Sequence, residues 1–201
     1  STNPYQLTEA DRTVIGNTTP KFSGGFGLNA TYKGFDMSMF FNFMYDFDVL
    51  NANKIMLTTW ADNKENNFLM DIASDKRWRN FDDMGNEIRY SPEVLAEFNK
   101  NATMWNPTSI GRPICMSYAV EDGSFLRLNS ATLGYTLPSV WTKKVGLSKV
   151  RFYVSGNNLF TLTGYSGYDP EVNIATGLTP NIDYNRYPRS RIYTFGAQLT
   201  F

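Results

Sequence analysis

"FSGGFGLNATYKGFDMSMFFNFMY", Phe22 to Tyr45, carries the pattern that decides the fold. From Phe22 to Tyr32 the even positions are Phe22, Gly24, Phe26, Leu28, Ala30 and Tyr32, and the odd ones Ser23, Gly25, Gly27, Asn29 and Thr31. Phe35, Met37, Met39, Phe41, Phe43 and Tyr45 then alternate with Asp36, Ser38 and Asn42. A period of two puts apolar side chains on one face of a strand and small polar ones on the other. Lys33-Gly34 is short enough for a hairpin turn, with glycine supplying a positive φ.

The same period recurs three times. Between Phe125 and Leu137, Leu126 and Leu128 stand in one phase and Ala131, Leu133, Tyr135 and Leu137 in the other, a slip that predicts a β-bulge near Asn129-Ser130. From Lys149 to Thr163, Val150, Phe152 and Val154 share a face; Gly156-Asn157-Asn158 blurs the phase and leaves the facing beyond Ser155 open. "RSRIYTFGAQLTF", Arg189 to Phe201, sets Tyr193, Phe195, Ala197, Leu199 and Phe201 against Ile192, Thr194, Gly196, Gln198 and Thr200. Chain ends are normally polar and frayed, so an aromatic at the last position is expected to sit in an apolar environment. The reading is all-β, with strands near 21–33, 35–46, 124–137, 149–163 and 190–201. Each is about the ten residues that a tilted strand needs to cross a bilayer.

The connections point to a membrane barrel. Lys33-Gly34 and Pro138 to Ser148 (a short helical turn expected around Val140-Trp141) alternate with long loops over 46–123 and 164–189. Outer-membrane barrels have short periplasmic turns and long extracellular loops, so a periplasmic C-terminus puts both long loops outside. Arg191 and Tyr193 are then expected near the outer interface and Phe201 near the inner one. A soluble β-sandwich also alternates, but its outward face carries Lys, Glu and Thr. Here the face opposite the aromatic track is mostly Ser, Gly, Asn and Thr. Five strands cannot close a membrane barrel, and an open edge in hydrocarbon leaves backbone groups unpaired. The chain is therefore expected to be the C-terminal part of a larger barrel.

Composition excludes other classes. The 201 residues contain 19 Lys plus Arg against 19 Asp plus Glu, which gives no basic footprint for nucleic acid. Histidine is absent, and with it the commonest general base and metal ligand. Lone Cys115 stands in no metal-binding or redox spacing. Paired carboxylates such as Asp82-Asp83, Glu121-Asp122 and Asp169 with Glu171 read as turn residues, and no nucleophile elbow or P-loop occurs. No enzymatic activity, metal or cofactor is expected.

Four ordered blocks resemble a known family: Ile15 to Tyr45, "YAVEDGSFLRLNSATLGYTLP" (Tyr118 to Pro138), "VRFYVSGNNLFTLTGYSGYDPEVN" (Val150 to Asn173) and "YPRSRIYTFGAQLTF" (Tyr187 to Phe201). They are similar to the end of the SusC/RagA-type TonB-dependent outer-membrane transporters. The resemblance implies a bacterial outer-membrane barrel of about 22 strands with a plugged lumen. It also implies a SusD-like surface lipoprotein as partner and TonB-driven import of glycans or, as the alternative, peptides. A siderophore or cobalamin receptor, which needs no lipoprotein lid, is a further alternative, and a soluble carbohydrate-binding β-sandwich is the alternative from another class. The plug domain and TonB box have no counterpart in this chain, so contact with TonB is expected through a part that it lacks. Tyr193, Phe195, Leu199 and Phe201 are expected to form a barrel-assembly signal, as the family resemblance implies.

The long loops carry the remaining candidates. The first is rich in aromatics, which read mostly as its own core. Trp60 and Trp105, each flanked by polar residues, are the candidates for ligand or partner contact. Ser91-Pro92-Glu93 opens a predicted short helix with Val94, Leu95 and Phe98 on its apolar face. In "GYSGYDPEVN", Gly164 to Asn173, Tyr165 and Tyr168 with Asp169 and Glu171 fit contact with sugar hydroxyls. Equally, Asp169-Pro170 is ordinary turn chemistry.

Overall fold

Lys33 (φ 46°) and Gly34 (φ 91°) both adopt positive φ, as a two-residue type I′ hairpin requires. They join β1 (Phe22–Tyr32) to β2 (Phe35–Tyr45), with Tyr32 opposite Phe35. The computed structural model describes residues 12–59, 67–72, 75–107, 115–172 and 180–201. The further elements are β3 (Asp48–Asn51), α1 (Ala52–Met56), α2 (Pro92–Asn99), β4 (Val120–Asp122), β5 (Phe125–Thr136), α3 (Ser139–Thr142), β6 (Lys149–Thr163), β7 (Ile182–Asp183) and β8 (Ile192–Thr200). β1, β2, β5, β6 and β8 form one antiparallel sheet in that order. β3, β4 and β7, inside the stretches read from the sequence as loops, form a second sheet.

The chain divides into two compact units, Ser1–Leu50 with Val120–Phe201 and Asn51–Ala119. In the first, register gathers the apolar side chains. Asn129 is one extra residue against β2, where Phe40 pairs with Ser130 and Phe41 with Leu128. Against β6, the same single residue faces two, because Leu128 pairs with Phe160 and Ser130 with Asn157. Asn158 absorbs the irregularity with φ 53°. The bulge returns Leu126 and Leu128 to the face of Ala131, Leu133 and Tyr135. It likewise returns Phe160 and Leu162 to the face of Phe152 and Val154, which periodicity alone left open.

Level rows cross the sheet. Tyr32, Phe35, Tyr135, Phe152 and Ala197 form the row beside the hairpin turn; Leu28, Met39, Ala131, Gly156 and Tyr193 form a middle one. Phe22 and Tyr45 close the opposite end. Ring stacking ties the strands along this face: Phe35 and Tyr135 centroids lie 4.4 Å apart, Phe26 and Phe41 4.9 Å, and Phe22 and Tyr45 6.1 Å. No protein covers the face among the described residues, since Leu28, Phe152 and Leu162 are half or more exposed. Tyr193, expected near the outer interface, stands level with Met39 because β8 begins opposite Asn157 while β6 runs on to Thr163.

On the opposite face, glycine makes room for large neighbours. Arg151 crosses Gly134 to reach Asp36, with Nε donating to Oδ1 at 2.9 Å and Nη2 to Oδ2. Tyr153 lies over Gly196, and the Phe40 ring over Gly25. The face thus holds more charge than its Ser/Gly/Asn/Thr pattern conveys, neutralised in pairs. Gly134→Ala is expected to push Arg151 off Asp36 and cost about 1–3 kcal/mol. At Gly27 the nearest atom to an added Cβ is Met39 O at 3.6 Å, an ordinary contact. Thermal unfolding of both alanine variants checks this; equal melting points would remove the role given to Gly134.

Between β5 and β6, α3 and a 3-10 turn over Lys143–Val145 end on Gly146 in the left-handed region (φ 75°), close to the helical turn expected there. The second unit is organised by α1, α2 and a buried set that includes Ile55, Ile72, Ile88 and Met104. Ser91 occupies the N-cap of α2 with Pro92 following, but its side chain makes no capping bond. Val94 and Phe98 are exposed; Leu95 and buried Asn99 face inward instead. Asn99 docks the helix: its amide donates to Arg79 O and Leu95 O at 2.9 and 2.8 Å, and its carbonyl accepts from Arg79 N at 2.6 Å. Hydrogen bonding to backbone outweighs the apolar stripe there because it satisfies otherwise orphaned groups. No helix among the described residues is long and apolar enough to cross a membrane, which has no bearing on strands.

Candidate functional site

The segment leaving β6 folds back over the end of the sheet away from the hairpin turn. Gly167 lacks the Cβ that would strike the Tyr165 ring, so that ring tucks beneath the backbone. It packs with Phe47, Val49, Phe125 and Val172, the apolar cluster of this unit, and Met44 lies against them. The Tyr165 hydroxyl donates to Asp183 Oδ2 at 2.6 Å. Burial, with the Asp183 carboxylate beside it, raises the phenol pKa and keeps it a donor.

Asp169 is also buried. Its Oδ1 accepts from Arg127 Nη2 at 2.5 Å and from Glu171 N at 3.0 Å. Arg127 itself is 2% exposed and lies over the Phe125 ring, 5.4 Å from its centroid. Glu171 Oε1 accepts from Arg189 Nη2 at 2.6 Å, and its Oε2 lies 3.8 Å from Arg127 Nη2. Ser166 donates from N and Oγ to Glu121 at 3.0 and 2.9 Å. Tyr165, Asp169 and Glu171 are thus brought together, but turned inward onto the protein's own groups. Tyr168 is 85% exposed.

Burial alone pushes the Asp169 pKa up. The Arg127 guanidinium and the backbone N–H groups of Glu171 and Arg189 outweigh it and hold the carboxyl below its ordinary range. A depressed folded value stabilises the ionised state above the unfolded pKa and is lost as pH falls through the folded one. The melting-temperature gap between wild type and Asp169→Asn is therefore expected to be full at neutral pH and to close below about pH 4. Melting curves across that range test it; a gap independent of pH would contradict it.

Of the other candidates, Trp60 lies outside the described residues. Trp105 is internal to the second unit: Nε1 donates to Thr58 O at 3.3 Å, and its ring meets Tyr118 edge-on at 5.2 Å. Tyr118 donates to Asp71 Oδ2 at 2.6 Å, with Lys54 Nζ 4.7 Å from its ring centroid. Tyr193, Phe195 and Leu199 share the exposed apolar face of β8, and Phe201 follows it, also exposed. Arg127, Asp183 and Arg189 were missed by the sequence reading; a single arginine in the otherwise uncharged "FLRLNS" was the available signal. No group of three or more potential metal ligands occurs among the described residues.

The chain matches no protein-family model. It is 34% identical over 202 residues to TonB-dependent receptor P3 of Formosa agariphila, an alignment covering 98% of this chain and 18% of the relative. To TonB-dependent receptor SusC of Bacteroides thetaiotaomicron it is 36% identical over 88 residues, 42% of this chain and 8% of that one. The RagAB peptide importer in its open-open state superimposes with a TM-score of 0.71 at 26% identity, covering 98% of this chain and 19% of the neighbour. The chain thus spans a fifth or less of the length of these relatives.

Proposed function

Because the chain belongs with the SusC/RagA-type TonB-dependent receptors, we propose that it forms part of an outer-membrane nutrient importer, a transporter and not an enzyme. The observation that carries this is the uninterrupted apolar face of the five-stranded sheet, rimmed by aromatic rings. From the Tyr32 row to Phe22 is ten residue steps, about 33 Å along a strand. At a tilt of about 40° that spans about 25 Å, the height of the lipid-facing band of such barrels. The face bearing Asp36 and Arg151 then looks into the lumen, with the C-terminus periplasmic and both long loops extracellular.

Import is driven through TonB, which engages a part of the receptor outside this chain. A SusD-like lipoprotein lids the extracellular loops, and oligosaccharides are the substrate. Short peptides are the second reading, favoured by likeness to a peptide importer. Tyr193, Phe195, Leu199 and Phe201 offer the terminal strand to the assembly machinery. Outer-membrane fractionation of the intact gene product tests the reading. A heat-modifiable species that requires detergent and co-purifies with a lipoprotein is expected, and its deletion should abolish growth on limiting oligosaccharide. Recovery in the soluble fraction at this chain's own size would overturn it, and growth lost only on peptides would select the second substrate.

A further inference from the structure

Backbone bonds draw together the end of the sheet beside the hairpin turn. Thr136 N donates to Gly34 O at 2.8 Å, Leu137 N to Val150 O at 2.9 Å and Ser148 N to Thr200 O at 2.8 Å. These pin the connection over 138–148 between the β1–β2 turn and the end of β8. Within it Thr142 is buried, and its carbonyl accepts from Leu147 N at 3.1 Å. Val140, Trp141 and Val145 are instead 69%, 61% and 70% exposed. Positions 140, 141, 144 and 145 adjoin on a helical turn, so Lys144 stands among them. The charge at this end has one sign. Lys33, Lys143, Lys144 and Lys149 are exposed. Asp36, the one acidic side chain in residues 31–36, 134–151 and 197–200, is taken by Arg151.

We propose that this connection is a membrane-surface anchor. Val140, Trp141 and Val145 enter the headgroup region of the adjoining leaflet, and Lys33, Lys143, Lys144 and Lys149 hold the phosphates of anionic phospholipid. The inference rests on the membrane-barrel reading above and goes beyond it by giving one end of the sheet a lipid class. The anchor continues the apolar face, since Leu137, Val150 and Leu199 form the next row past Tyr32, Phe35, Tyr135, Phe152 and Ala197. Val150 is buried while Phe152, on the same face, is exposed, and α3 packs against β6 at that point. A tryptophan settles at headgroup depth because its ring is apolar and its N–H needs a polar partner. A lysine there lays its stem along the acyl chains and sends its ammonium to the phosphates. A zwitterionic headgroup brings its own cation; an anionic one leaves a net charge for the four lysines to neutralise. Apolar and basic side chains share this short surface, so one bilayer meets both.

The test uses the full-length receptor in nanodiscs of phosphatidylcholine, alone or mixed with phosphatidylglycerol. Native mass spectrometry after release is expected to find phosphatidylglycerol retained over phosphatidylcholine. A lysine near an anionic surface strengthens association roughly fivefold, so Lys143→Gln with Lys144→Gln should weaken retention at least about tenfold. Lys143→Arg with Lys144→Arg should keep it. In phosphatidylcholine brominated near the headgroup end of its chains, Trp141 should be quenched more than by bromines near the chain ends; the difference from Trp141→Phe isolates its signal. Heat-modifiability of each variant reports folding. Equal retention in the glutamine variant, or no quenching assigned to Trp141, would overturn the anchor while leaving the barrel reading intact. Loss of a co-purifying acidic protein, with phospholipid unchanged, would replace lipid as the occupant. A receptor recovered without detergent would remove the barrel reading itself.

Discussion

Arg127→Ala is expected to be the most damaging single change in the chain, costing about 3–5 kcal/mol. Asp169 would be left buried without its guanidinium partner, and Glu171 would lose the farther of its two cations, keeping Arg189. The segment that carries Tyr165 and Tyr168 would detach from the end of the sheet. Replacing both partners, Arg127→Met with Asp169→Leu, should restore most of the loss, because no uncompensated charge then remains. Chemical unfolding of the detergent-solubilised receptor checks both. A single variant within about 1 kcal/mol of wild type, or a double variant as unstable as the single one, would show that the pair is not what holds the segment.

The second large effect concerns facing. Met39 lies in the middle row of the apolar face and Ser38, its neighbour, on the opposite side. Met39→Lys is expected to cost about 2–4 kcal/mol, the price of a lysine at the bilayer midplane. Ser38→Lys places the same charge toward the lumen and should change stability by well under 1 kcal/mol, as polar-face surface substitutions usually do. The proportion of heat-modifiable receptor in outer membranes reads out both. Tolerance of Met39→Lys with loss of Ser38→Lys would turn the sheet inside out, and equal tolerance would mean that neither face meets lipid.

The strands were legible because a strand's side chains alternate with a period of two whatever it packs against. That local rule placed the hairpin at Lys33-Gly34, the slip at Asn129 and the closing aromatic track. It could not give the level of Tyr193 in the sheet, since that depends on where β8 starts against β6, a property of pairing and not of either strand alone. It also could not see β3, β4 and β7, which are too short for a periodic signal and exist only because register lines them up.

The loop candidates show the same division. "GYSGYDPEVN" announced aromatic and acidic groups at one place, and they do converge. Which of them face outward was set by partners far away in sequence. Arg127 on β5 draws Asp169 in, Asp183 draws Tyr165 in, and Arg189 draws Glu171 in, leaving Tyr168 outside. In α2, likewise, the apolar residues Val94 and Phe98 announced an inward face, and Asn99 overruled them through its three backbone bonds. The sequence by itself determined the class of fold, the strands and their two faces, because side-chain direction along a strand is a local property. Only the tertiary structure decided which loop residues are buried supports and which are exposed, because a buried charge stays buried only where another segment brings its partner.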